Sequence, residues 1–215
     1  MNDKQKDRLL DALLPVVPFE GWSDTTLSEI CTQCGMTSQE VAILFPRGMT
    51  DILRYFNQRL DTQMMAKLEG LGLDKMKVRE RITLAVRTRL ELMEPHREAV
   101  RKGLSFFAMP LKASEGMHNL YDTVDAMWLA AGDKSTDYNF YSKRLLLSGV
   151  YSSTMLFWLE DGSEGYEKTW AFLDRRISEV LKIGGALGKT IGRASGIAEK
   201  LRSLAPFSNG SGRHC

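Results

Sequence analysis

Two short spacings in this chain could carry chemistry. Cys31-Thr-Gln-Cys34 has the spacing of a zinc knuckle or a redox dithiol, and Glu115-Gly-Met-His118 has the E-x-x-H spacing of a carboxylate di-iron helix. Neither is completed elsewhere. A structural zinc needs four ligands, and no second cysteine or histidine pair stands at suitable spacing. A redox dithiol sits where a strand meets a helix, whereas residues 31–34 lie in a helical stretch. A di-iron bundle needs two E-x-x-H motifs and two further carboxylates, yet the other internal histidine, His96, has Met93 three residues before it. No Gly-rich phosphate loop and no convincing nucleophile–base arrangement is visible. We therefore expect no metal, no cofactor and no catalytic residue.

What the sequence offers instead is soft apolar volume. Met64, Met65, Met76, Met109, Met117 and Met127 accompany Phe107, Phe157 and Trp170, and with them stand Met93, Phe106, Trp128, Met155 and Trp158. Methionine and aromatic side chains fill irregular cores, and they also line adaptable apolar pockets. The pattern alone leaves both readings open; the last five are the candidates for lining a lipid site.

Apolar residues recur at helical spacing almost throughout, and strand signals are nearly absent. The pattern predicts helices at about 3–17, 25–33, 37–45, 50–69, 75–94, 96–107, 114–131, 137–160, 164–183 and 185–204. Gly21, Gly35, Gly70, Pro95, Pro110, Gly132 and Gly162 punctuate them, with Asp137 and Ser163 as plausible N-caps. The expected fold is all-α, a bundle of about ten helices. Its expected division is a helix-turn-helix domain (1–48), a helical ligand and dimerisation domain (49–183), an amphipathic helix (184–205) and a disordered tail (206–215).

The stretch "LSEICTQCGMTSQEVAILFPRG" (27–48) has the order of a helix-turn-helix, followed by a long helix as in the TetR-type regulators that it resembles. Operator binding needs cations on the phosphates. Between residues 20 and 51 the acids Glu20, Asp24, Glu29, Glu40 and Asp51 face one base, Arg47, a formal balance of −4. The second helix would offer a groove Glu40, Val41, Ile43 and Leu44. The motif reads as architecture, with no nucleic-acid partner. The whole chain is nearly neutral at +2, and 43% of its 215 residues are hydrophobic.

Three cysteines, odd in number, suit a reducing compartment. The opening "MNDKQKDRLLDALL" is neither a secretory h-region nor a transit peptide. The expected location is thus cytoplasmic, unless something holds the chain to a surface.

Membrane contact is expected of residues 177–204. At 100° per residue, Leu187, Ile191 and Leu201 fall on one face, opposite Lys182, Lys189, Arg193 and Lys200. With Ile197 these are the candidate membrane-binding residues. Gly184, Gly185, Gly188, Gly192 and Gly196 each cost such a helix about 0.5–1 kcal/mol relative to alanine. It should therefore form only against a host, either an anionic bilayer surface or its own bundle.

Two later stretches, "AGDKSTDYNFYSKR" (131–144) and "YEKTWAFLDRRI" (166–177), resemble the ubiquinone-biosynthesis accessory family. This is the TetR-like, lipid-binding partner of the demethoxyubiquinone hydroxylase. The similarity runs from about residue 5 to about residue 204. It implies a TetR fold without a DNA role, a homodimer, and a hydrophobic cavity for an isoprenoid lipid or ubiquinone intermediate. It also implies an amphipathic C-terminal helix at a membrane surface and docking on the di-iron hydroxylase. The docking positions it carries over are Asp137, Phe140 and Tyr141, with Asp125, Met127 and Arg144 further along. Position 140 is usually Trp in the eukaryotic members; Phe here keeps the aromatic contact and removes an indole donor. The resulting expectation is a non-enzymatic lipid presenter. The alternatives are a regulator sensing a hydrophobic ligand and an unrecognised enzyme of quinone modification.

Deleting residues 184–215 is expected to abolish most binding to anionic liposomes while leaving a folded helical domain. Co-sedimentation read beside circular dichroism checks this. Unchanged sedimentation would place the membrane contact elsewhere.

Overall fold

A computed structural model describes residues 2–133, 138–180 and 182. Two compact units divide the chain, 1–174 and 175–215. Every regular element among the described residues is helical. In order they are α1 (Asn2–Leu13), α2 (Val17–Glu20), α3 (Asp24–Gln33), α4 (Ser38–Leu44), α5 (Met49–Glu69), α6 (Val78–Met93), α7 (Arg97–Phe107), α8 (Ala113–Ala130) and α9 (Tyr138–Glu160). A tenth helix, α10, covers 167–180. The residues expected to form a separate N-terminal domain share a unit with the bundle.

The first helix is shorter than its pattern predicts. Pro15 lacks an N–H and disfavours a helical residue before it, so α1 stops at Leu13. The chain tightens through Val16 N–H to the Leu13 carbonyl at 3.0 Å and restarts as α2, with Pro18 in its first turn. The helix expected from 75 begins at Val78, where the Glu80 carboxylate accepts from the Lys77 backbone at 2.8 Å.

The helix-turn-helix geometry is intact. Gly35 turns at φ +65, and α4 starts with a reciprocal cap. Thr37 N–H donates to Glu40 Oε2 at 2.7 Å, and Glu40 N–H donates to Thr37 Oγ1 at 3.2 Å. The Glu40 of the would-be recognition helix is thus engaged in closing its own helix. Val41 and Leu44 turn into the core and Ile43 turns out. Arg47 is held by Asp51 at 2.8 Å and by Glu115 of α8 at 2.5 Å. Trp22 ties this region to the bundle by donating its indole N–H to the Ala99 carbonyl at 2.9 Å.

The bundle is centred on α5, which packs against α6 and α8, while α8 packs against α9 and α7 receives α2. The α9–α10 corner is closed by one carboxylate. Asp161, almost fully buried, accepts from the Ser163 backbone and hydroxyl at 2.8 and 2.6 Å and from those of Thr169 at 2.9 and 2.6 Å. The expected cap, Ser163, precedes a 3-10 turn, and its hydroxyl accepts from the Lys168 backbone N–H at 3.3 Å in the first turn of α10. That turn holds Tyr166 at φ +58, a left-handed conformation costly for an aromatic residue. Its ring is pinned between the Trp158 ring, 6.1 Å away, and the Arg97 guanidinium, 5.4 Å away.

Burial alone would raise the Asp161 carboxyl, but the four donated bonds win and hold it well below the usual carboxylate range. Its folded pKa is depressed, so its contribution is present above about pH 4, the unfolded value, and fades as pH falls toward the folded one. Asp161→Ala is expected to cost about 2–3 kcal/mol at neutral pH. The variant should also lose less stability than wild type between pH 5 and pH 3, to about the extent of this one group. Thermal melts across that range check both; equal neutral stabilities would refute the corner's importance.

Candidate functional site

Helices α5 to α9 enclose a cavity of about 360 Å³, a volume within the range of small-molecule sites. Its wall is mainly apolar: Leu53 and Phe56 from α5, Met93 from α6, Val100, Leu104 and Phe107 from α7, Leu120 from α8, and Met155 and Leu156 from α9. Met117 and Leu156 are both more than half exposed and mark the side open to solvent. The closed side is lined by Leu53, Phe56, Met93, Thr123 and Tyr151, all buried.

Two glycines admit this space. A Cβ on Gly116 would lie 2.9 Å from Phe107 Cβ, and one on Gly103 would lie 3.3 Å from Leu53. Glycine inside a helix is costly, so its appearance in α7 and α8 signals close approach.

A buried polar cluster backs the inner end. Arg89 has no exposed surface; its Nε donates to Asp61 at 2.6 Å and its Nη2 to Asn57 at 3.0 Å and Thr123 at 3.2 Å. Thr123 in turn donates to Asp61 at 3.1 Å. Burial pushes the Asp61 carboxyl above its ordinary value, against the Arg89 and Thr123 bonds that pull it down.

Of the five residues expected to line a lipid site, Met93 and Met155 are on this wall and three are not. Phe106 meets Phe107 edge-on at 5.4 Å and leaves the wall to it, because neighbours on a helix point about 100° apart. Trp128 donates to the Lys143 carbonyl at 3.3 Å, at the α8–α9 corner. Trp158 is fully buried beside Arg97, whose guanidinium is 5.5 Å from its ring. Sequence reasoning missed Asn119, Thr123 and Tyr151, which are polar positions on otherwise apolar helix faces.

The expected docking residues divide differently. Arg144, 2% exposed, donates to Asp125 at 2.6 Å and to the Phe140 carbonyl at 3.2 Å, and its guanidinium lies 3.3 Å from the Phe140 ring centroid. It also reaches Asp133 at 3.4 Å, where Lys143 binds at 2.9 Å. Met127 has no exposed surface and belongs to the core, so it has nothing to offer a partner. Tyr141 is 67% exposed, its ring edge-on to Phe140 at 5.1 Å. Asp137 lies outside the described residues. So do Leu187, Lys189, Ile191, Arg193, Ile197, Lys200 and Leu201; Lys182 is exposed.

The two chemical spacings are separated by the fold. Glu115 is engaged by Arg47, and His118 stands exposed, 3.9 Å from Asp122. Cys31 and Cys34 are buried free thiols; burial first, then Cys34, pushes the Cys31 thiol up, away from a reactive thiolate. Among the described residues no three metal-ligating side chains come together, and no helix is long and apolar enough to cross a membrane.

A capped helix-turn-helix joined to a bundle around an apolar cavity defines an all-α protein of TetR-like fold. The TetR transcriptional regulator from Nitrosomonas europaea superposes with a TM-score of 0.67 at 20% identity, over 82% of this chain and 98% of that one. The family described as COQ9 matches residues 113–184. "Ubiquinone biosynthesis protein COQ9-B, mitochondrial" of Xenopus laevis is 30% identical over 211 residues, 95% of this chain and 72% of the relative. The mitochondrial COQ9 of Rattus norvegicus is 34% identical over 85% of this chain and 61% of its own length. That of Homo sapiens is 31% identical over 85% and 59%. The chain belongs to the COQ9 family, and it spans about three fifths of the rat and human relatives.

Arg144→Met should leave Asp125 without its guanidinium partner, while Asp133 keeps Lys143, and cost about 3 kcal/mol. Arg144→Lys should recover less than half, because a point charge cannot reach Asp125, Asp133 and the Phe140 carbonyl together as the guanidinium does. Thermal melts of both variants check this; full recovery by lysine would reduce the role of Arg144 to its charge.

Proposed function

We propose that the protein is a non-enzymatic accessory of ubiquinone biosynthesis. In this reading it works as a homodimer at a membrane surface, takes up an isoprenoid lipid or ubiquinone intermediate, and presents it to the di-iron demethoxyubiquinone hydroxylase. The observation that carries the proposal is the apolar cavity enclosed by α5 to α9, in a chain whose relatives are named for ubiquinone biosynthesis. An isoprenoid tail is costly in water at about 25 cal/mol per Å² of apolar surface, so shielding it in transit is physically useful.

The surface beside the cavity supports a docked partner. Along α9, Tyr141, Leu145, Gly149 and Leu156 are exposed at spacings of 4, 4 and 7, one stripe of the helix. The stripe runs from the Asp125–Arg144 corner to the open side of the cavity. A partner seated on it would stand where ligand leaves. Operator binding is the weaker reading, because Arg47 is already engaged by two carboxylates.

Organic extraction of the purified protein followed by mass spectrometry should return an isoprenoid lipid. In a titration against the hydroxylase, Tyr141→Ala is expected to weaken binding about 30-fold, the equivalent of about 2 kcal/mol for an exposed aromatic anchor. Melting temperature and lipid content should stay near wild type, given the exposure of the side chain. Equal affinities with fold and lipid intact would remove Tyr141 from the interface.

A further inference from the structure

The polar groups at the inner end of the cavity are not all explained by holding helices together. Arg89, Asp61, Asn57 and Thr123 bond one another and so join α5, α6 and α8. Asn57 also donates one of its two amide N–H groups to the Leu53 carbonyl at 2.9 Å. Two lining residues remain over. Asn119 is 7% exposed, and its Nδ2 has no hydrogen-bond partner. Tyr151 is 3% exposed, and its hydroxyl donates only weakly, to the thioether of Met93 at 4.0 Å. A buried amide or hydroxyl without a good partner costs about 1–3 kcal/mol, and such groups are rare in native proteins. A valine or leucine would line the same wall without that cost.

We propose that this inner end is a hydrogen-bonding subsite for one uncharged oxygen acceptor, a ketone, quinone or ester carbonyl, received by Asn119 and Tyr151. The proposal rests on the reading of the cavity as a ligand site and adds which end of the ligand enters. Asn119 supplies the amide N–H groups of its unpartnered Nδ2. Tyr151 supplies an O–H: burial pushes its phenol up, so it remains protonated at neutral pH.

Charge sets the ligand class. The lining residues include no Lys, Arg, Asp or Glu, and the guanidinium behind them is paired through Nε with Asp61 at 2.6 Å, its Nη1 having no hydrogen-bond partner. A phosphate or diphosphate placed there would be buried without a counter-charge, which is strongly unfavourable. A plain hydrocarbon would leave Asn119 and Tyr151 unpaired. The acceptor therefore goes in first, and a tail too long for the cavity runs out past Leu104, Met117 and Leu156.

The test uses the full chain, delipidated, titrated by calorimetry with three probes that share one tail: a geranyl-substituted 1,4-benzoquinone, geranylbenzene and geranyl diphosphate. The quinone is expected to bind about tenfold tighter than geranylbenzene, which corresponds to about 1.4 kcal/mol for the added hydrogen bonds. Geranyl diphosphate should bind no tighter than geranylbenzene. Asn119→Leu with Tyr151→Phe should bring the quinone to the geranylbenzene affinity and leave geranylbenzene itself unchanged. Tyr151→Phe removes a single oxygen, so if the double variant melts early, a loss of about threefold or more for the quinone alone in Tyr151→Phe carries the point. A quinone advantage that survives these substitutions, or a preference for the diphosphate, would overturn the subsite while the cavity still binds lipid. Failure of all three probes to bind would overturn the subsite together with the ligand-site reading on which it rests.

Discussion

A guanidinium with no contact to solvent holds the cavity open. Arg89 projects from α6 and is met by Asp61 and Asn57 on α5 and by Thr123 on α8. Three helices are thus fixed around a volume that hydrophobic packing, left to itself, would close. Desolvating an ion pair is expensive, and apolar residues of similar size would often give equal or greater stability. What the pair contributes is geometry: its hydrogen bonds have fixed lengths and directions, so α5, α6 and α8 cannot slide together to fill the void. Gly103 and Gly116 act in the same sense from the other side, setting how closely α7 approaches α5 and α8.

The second polar centre works differently. At the α8–α9 corner, Arg144 is buried, yet its partners Asp125 and Phe140 are partly open to solvent. The guanidinium carbon lies 3.3 Å from the Phe140 ring centroid, which adds a cation–π contact to the Nε bond with Asp125. Arg144 therefore positions the surface and is not itself a contact. The exposed neighbour is Tyr141, whose helical phase is set by Phe140 beneath Arg144. Asn119 and Asp125 both stand on α8, and Tyr151 and Arg144 both stand on α9. A partner that shifted either helix at the corner would move a wall of the cavity.

Much of this was legible in the sequence, and what was missed has physical reasons. Helix existence followed from the 3.6-residue pattern in nine of the ten expected segments, and the tenth, 185–204, lies outside the described residues. The error at residues 14–17 came from trusting that pattern across Pro15, where backbone chemistry overrides it. The cap expected at Ser163, whose hydroxyl accepts from the Lys168 backbone, is joined by Asp161, because a carboxylate can accept from two backbone and two hydroxyl donors at once. Composition identified methionines and aromatics but not which side of a helix each takes; hence Phe107 lines the cavity where Phe106 was expected, and Trp158 is core. The Arg89 cluster was missed for another reason. Its bonded pairs stand up to 62 residues apart, and nothing local in sequence distinguishes a buried Arg–Asp pair from two solvated charges.

The N-terminal helices answer why a helix-turn-helix persists with its bases gone. Trp22, just before α3, donates to the carbonyl of Ala99, and Ala99 itself lines the cavity. The same indole ring lies 6.2 Å from Phe56, another wall residue, and would press on any side chain placed at Gly103. The N-terminal region therefore forms the outer support of the cavity wall. Removing it would expose α5 and α7 along the faces that now carry Leu53, Phe56, Ala99 and Gly103. The surface of α4 is free to lose its cations because that surface faces outward, with Ile43 exposed and Glu40 turned to its own cap. Selection on the cavity thus keeps the buried half of the motif and places no constraint on the half that would read DNA.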